Sequence, residues 1–134
     1  MKNHKTLFSV LLLILLATAS YAQSIDEIVK EWERAKAYTK EYLDAMPESG
    51  YALKPTPEMR SFAEQMLHLT DANYGLASAA SGEKSPVGFG ESEKTTDKSK
   101  ANVTTLVMAS YDFVINSIKK MTPAQLFEKT KLFN

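Results

Sequence analysis

Apolar residues recur at three- and four-residue spacing along three stretches of the chain. In the first, Ile25, Ile28, Val29, Trp32, Ala35, Tyr42, Leu43 and Met46 make one stripe, the pattern of an amphipathic helix. Ser24, followed three residues on by Glu27, predicts its start as a capping box in which each side chain satisfies the other residue's free backbone donor. Pro47 and Gly50 predict its end, because proline cannot continue the hydrogen-bond ladder and glycine permits a left-handed helix stop. The second stripe runs through Met59, Phe62, Ala63, Met66, Leu67, Thr70, Tyr74 and Ala77. It predicts a helix that starts from a Thr56–Pro57 cap and reaches about Ala80, with Tyr51 to Pro57 as loop. The third, Val103, Leu106, Val107, Tyr111, Val114, Ile118 and Met121, widened by Phe113, predicts a helix from near Thr96 or Asp97 to Lys119 and Lys120. Those two cations suit the negative end of a helix.

Between the second and third stripes, Gly82 through Lys94 is polar, contains Pro86, Gly88 and Gly90, and has neither helical nor strand periodicity. It is expected to be the most mobile part of the fold. After the third stripe, Thr122, Pro123 and Gln125 repeat the pattern of a helix start and predict a short turn through Phe127 or Glu128. No strand-like alternation competes with these signals. Three broad apolar stripes must be buried against one another, and the economical answer is an all-α bundle. A chain that opens an interhelical turn and then stops reads as a bundle lacking its C-terminal helix.

The first residues change the picture from one element to two regions. A basic segment containing Lys2 and Lys5 precedes an apolar run from Val10 through Ala17, and Ser20, Tyr21 and Ala22 place small residues at the two positions a signal peptidase reads. This layout predicts a signal peptide over residues 1–22, cleaved after Ala22, because the run is shorter than the roughly 20 apolar residues a membrane span needs. The expected product, residues 23–134, is one helical domain, periplasmic or secreted, without membrane attachment once the signal is removed. It keeps 14 basic against 16 acidic residues, a net charge of −2, which argues against nucleic acid as a partner. With no cysteine in the chain, no disulfide supports it and helix packing must supply the stability.

Chemistry-bearing residues are few. His68 is the only histidine after residue 22, and on a helical wheel Glu64, His68, Asp71 and Gly75 lie opposite the apolar stripe. Read by themselves they describe a solvated face with Glu64 and His68 as an i,i+4 pair, since a zinc site takes three or four protein ligands. A carboxylate-assisted site using Glu64 and Asp71 is the alternative. Gly88, Phe89 and Gly90 lack the strand, lysine and hydroxyl of a phosphate loop. One histidine gives no basis for a hydrolytic triad, and no reaction is named by these residues alone. Asn102, Val103 and Thr104 spell a glycosylation sequon inside the third helix, where it reads as accidental.

The stretch Met59 to Tyr74, with Glu64-Gln65-Met66-Leu67-His68 as its sharpest element, resembles the second helix of the DinB (YfiT-like) family. The third helix and Lys119-Lys120-Met121-Thr122-Pro123-Ala124-Gln125-Leu126 resemble the same family, so that the likeness covers about Ile25 to Phe133. It implies a four-helix bundle of up-down-down-up topology, often a homodimer, with a divalent metal such as zinc or nickel between its helices. His68 matches the family's ligand on the second helix. Two further ligands come from a His-x-x-x-His pair on the fourth, which this sequence does not contain. The resemblance implies metal-dependent thiol-transferase or hydrolase chemistry in an intact form, with the substrate unknown. The chain is then expected to be a fragment of a longer protein, or else a natural short form without the metal site. The alternative function is a non-enzymatic periplasmic bundle that acts by association with itself or a partner through the first and third helices, with Tyr111 and Val114 on the covered seam.

Overall fold

Ser24 begins the first helix as its spacing to Glu27 predicts. The Ser24 hydroxyl accepts from the Glu27 amide at 3.2 Å, and the Glu27 carboxylate accepts from the Ser24 amide at 2.9 Å. The computed structural model describes residues 24–132, and the expected signal peptide and its cleavage point lie outside these residues. From the cap, α1 (Ile25–Ala45) runs to a stop at Pro47. Gly50 plays a different part from the one expected of it. It sits in a short 3-10 turn, Glu48–Gly50, and among the described residues only Gly82 and Gly90 take positive φ, so the proline alone ends α1.

The second helix, α2 (Phe62–Ser81), starts later than Thr56–Pro57. Three residues after Thr56 comes Met59, whose side chain cannot reach back to an amide. Ser61 and Glu64 can, and they close a second capping box at 3.2 and 2.8 Å, satisfying two donors that the earlier start would leave free. Gly82, at φ 77°, ends α2 in the left-handed conformation. The third helix, α3 (Lys100–Lys120), likewise begins later than Thr96 or Asp97, with Ser99 as its cap. Asp97 instead accepts the Ser99 amide at 3.0 Å. The Thr122–Gln125 box forms as expected and opens a 3-10 turn, Pro123–Phe127.

Helix α3 is the centre of the arrangement, with α1 and α2 each packed against it. Lys98, just before α3, meets Glu64 at the start of α2 at 3.0 Å, and Lys120 at the end of α3 meets Glu83 just past the end of α2 at 2.6 Å. These two helices therefore run parallel. Lys100 reaches back to the carbonyls of Asp44 and Met46 at 2.7 Å, which makes α1 antiparallel to both. The order is up-down-down, and a parallel α2–α3 pair obliges the connection between them to travel back along the bundle.

Leu43, Leu67, Val103 and Val107 are completely buried and form one end of the core with Tyr51, while Val29, Ala77, Val114, Ile115 and Ile118 form the other. Tyr111 and Val114 belong to this core, at 5% and 3% exposure, so the association seam expected to include them is an internal contact. Tyr42 is 70% exposed and leaves the α1 stripe. Tyr51, expected in a loop, is buried instead. Its hydroxyl donates to the Leu43 carbonyl at 2.9 Å, a bond worth about 1 kcal/mol, and burial raises its pKa above the ordinary tyrosine value.

Candidate functional site

The polar side of α2 is where the sequence-derived candidates gather, and it is only partly solvated. Asp71 is 4% exposed. One of its carboxylate oxygens accepts from the Ser92 amide at 3.0 Å and the other from the Glu93 amide at 2.9 Å. A carboxylate holding two adjacent backbone amides is a strong local anchor, because each bond is charge-assisted and neither amide has another partner on an irregular stretch. The connection expected to be the most mobile segment is thus fastened to the middle of α2.

That anchor positions Glu93. Its Oε1 lies 2.5 Å from His68 Nδ1, and its Oε2 lies 3.7 Å from the Arg60 guanidinium. An ionised carboxylate can only accept, so Nδ1 carries a proton, and in the neutral ring Nε2 presents its lone pair. Glu64 is not the partner of His68. It is tied to its own cap, to Lys98 at 3.0 Å and to Lys54 at 3.3 Å. The Ser61 amide first, then Lys98 and Lys54, hold its pKa down to about 2. The i,i+4 pair is replaced by three longer-range ones, and Glu64 and Asp71 are engaged with different partners.

Beside His68 opens a cavity of about 590 Å³. His68, Asp71 and Glu93 make its polar end, Ala72 and Gly75 the strip of α2 between, and Leu76, Phe89 and Leu132 its apolar walls. The Phe89 ring lies over Gly75, where an added Cβ would stand 3.5 Å from it. Glu93, Arg60, Phe89 and Leu132 were not identifiable as site residues by periodicity. The only hint lay in the carboxylate Asp71 on a helix face followed by a connection rich in free amides.

The described residues fit one corner of a divalent metal site and not the whole. His68 offers Nε2 with a carboxylate behind Nδ1, the arrangement that orients metal-bound histidines. Asp71 has both oxygens engaged by amides. Among the described residues no three histidine, cysteine, aspartate or glutamate side chains are grouped so as to hold an ion, whereas such sites take at least three protein ligands. Nor is any helix among them long and apolar enough to cross a membrane.

No curated protein and no solved structure matches this chain. The family model described as the DinB superfamily matches residues 31–132. That span takes in all of α2, the connection pinned by Asp71, α3 and the turn that follows. The bundle with its His68-bearing second helix therefore belongs to the DinB superfamily.

Proposed function

We propose that the surroundings of His68 are the functional centre of this DinB protein. In this reading His68 is one ligand of a divalent ion, zinc or nickel, and the remaining donors come from outside residues 24–132, on a further segment or a second copy. The complete centre serves thiol-transferase or hydrolase chemistry on a small molecule held in the adjoining cavity. The observation that carries the reading is the 2.5 Å contact of His68 Nδ1 with Glu93. It holds the ring in one orientation with Nε2 turned from the carboxylate, which is what a metal-binding imidazole requires of its surroundings. Residues of this chain would do the orienting: Asp71 holds the backbone of Glu93, and Glu93 holds the ring.

The test is metal binding by the protein expressed from its complete gene, measured by competition with a chromophoric chelator. Saturable binding of zinc or nickel is expected, abolished in His68→Ala and weakened about 10- to 100-fold in Glu93→Gln. Binding that is indifferent to His68 contradicts the proposal. Export belongs to the same reading and is supported by the sequence pattern of residues 1–22; the exported protein should begin at Gln23 on N-terminal sequencing, and an uncleaved Met1 start would oppose it.

A second reading, association without catalysis, is favoured by one feature of α1. Tyr38 and Tyr42 are 52% and 70% exposed and share a face with Ala45. If two copies meet there, Tyr42→Asp should shift the dimer to monomer by light scattering, and a protein that is monomeric before substitution removes this reading.

A further inference from the structure

Three large apolar side chains from three separate segments stand open to solvent around the cavity beside His68. Leu76 on α2 is 48% exposed, Phe89 on the connection 80% and Leu132 near the end of the described chain 50%. Scattered exposed leucines need no explanation, but a set that converges on one concavity marks a surface that is covered in use. The apolar part ends at a polar cluster of defined character. His68, Asp71 and Glu93 are the titratable side chains on the lining, with no lysine or arginine among them. Arg60 approaches Glu93 from outside the cavity, at 3.7 Å. Glu93 is thus already paired and both oxygens of Asp71 are taken by amides, so the lining offers an anionic head group no lysine or arginine to meet. In the neutral ring the free acceptor there is His68 Nε2, since Nδ1 is committed to Glu93 at 2.5 Å.

We propose that this cavity binds a small amphiphile, with an apolar chain along Leu76, Phe89 and Leu132 and a hydrogen-bond-donating, non-anionic head (an alcohol, thiol or amine) against His68. The proposal deepens the reading of His68 as the functional centre by naming its ligand class, but it does not need a metal. Phe89 supplies the chain's main contact, lying over Gly75 at van der Waals distance. Asp71, by fixing the amides of Ser92 and Glu93 at 3.0 and 2.9 Å, keeps the connection that carries Phe89 in register with α2.

The full chain, kept in the presence of a chelator, is titrated with straight-chain alcohols, amines and carboxylates of matched length. Affinity is read by calorimetry, and the His68 ring signal, identified by its loss in His68→Gln, is followed by NMR. Alcohols and amines should move that signal, and their affinity should rise by up to about fourfold per added methylene until the cavity is filled. Carboxylates of equal length should bind about tenfold more weakly or not at all, since no lysine or arginine on the lining receives them and two carboxylates already stand beside the head. Phe89→Ser should weaken the alcohols about tenfold with an unchanged thermal midpoint, because a ring so exposed adds little to folding. Carboxylates that bind as well as alcohols, affinity that ignores chain length, or an inert Phe89→Ser would each overturn the proposal. Amphiphile binding without metal binding would remove the metal reading and leave this one; metal binding through His68 with no amphiphile binding would do the reverse.

Discussion

The two sides of α2 are built on different principles. The side turned to α3 is apolar and periodic: Leu67 is completely buried, Ala63, Tyr74 and Ala77 lie in the same row, and the hydrophobic effect holds them without regard to direction. The side turned to the connection is polar and directional, and it is held by Asp71 on two amides and by Glu93 on His68. A contact of the first kind is indifferent to a small displacement. One of the second kind is lost by it, so the second side can set the position of the His68 ring and the first cannot.

Substitutions should separate the two sides by size and by what they disturb. Leu67→Ala is expected to have the largest effect, a loss of about 2–5 kcal/mol from a site with no exposure. The urea midpoint should fall while the ring signal of His68 keeps its position. Asp71→Asn should cost about 2 kcal/mol, because an amide group turns a donor toward one of two backbone donors and leaves it unpaired. Here the His68 signal should move, since Glu93 loses its fixed backbone; an unmoved signal would mean that the connection is held by something else.

Glu64→Gln should be felt less at neutral pH, as the carboxylate is partly solvated, but it should change the pH profile. The pKa of Glu64 is lowered from the ordinary 4.5 to about 2. Its contribution is therefore complete above about pH 4.5 and is lost as the pH falls through about 2. Urea midpoints of wild type and Glu64→Gln should differ by a constant amount at neutral pH and converge as the acid limit is approached. Parallel profiles down to the acid limit would refute the assignment. Lys40→Ala, which breaks an exposed pair with Asp44 at 2.6 Å, should change stability by no more than about 0.5 kcal/mol in a thermal melt.

How far the sequence could be read follows the same division. The rows that include Leu43, Leu67, Val103 and Val107 were legible because burial on a helix leaves a period of 3.6. The Ser24–Glu27 and Thr122–Gln125 caps were legible because both partners lie three residues apart. The Ser61–Glu64 box has the same spacing, yet Thr56–Pro57 offered a competing start five residues earlier, and the absence of a reach-back side chain at Met59 decides against it. The Asp71 and His68 contacts span 21 to 25 residues and leave no periodic trace. Asp71 and His68 were visible as polar residues on a helix, and only the return path of the connection turns them into an anchor and a site. Tyr51 was hidden for a related reason, being a loop residue whose partner is a helix-end carbonyl.

Asp71 fastens the connection so that Glu93 meets His68, and amide hydrogen exchange at Ser92 and Glu93 tests this most directly. Both amides should be protected in the wild type, and both should exchange about tenfold faster or more in Asp71→Asn. Exchange of the two wild-type amides at the rate of an unstructured chain would contradict the account.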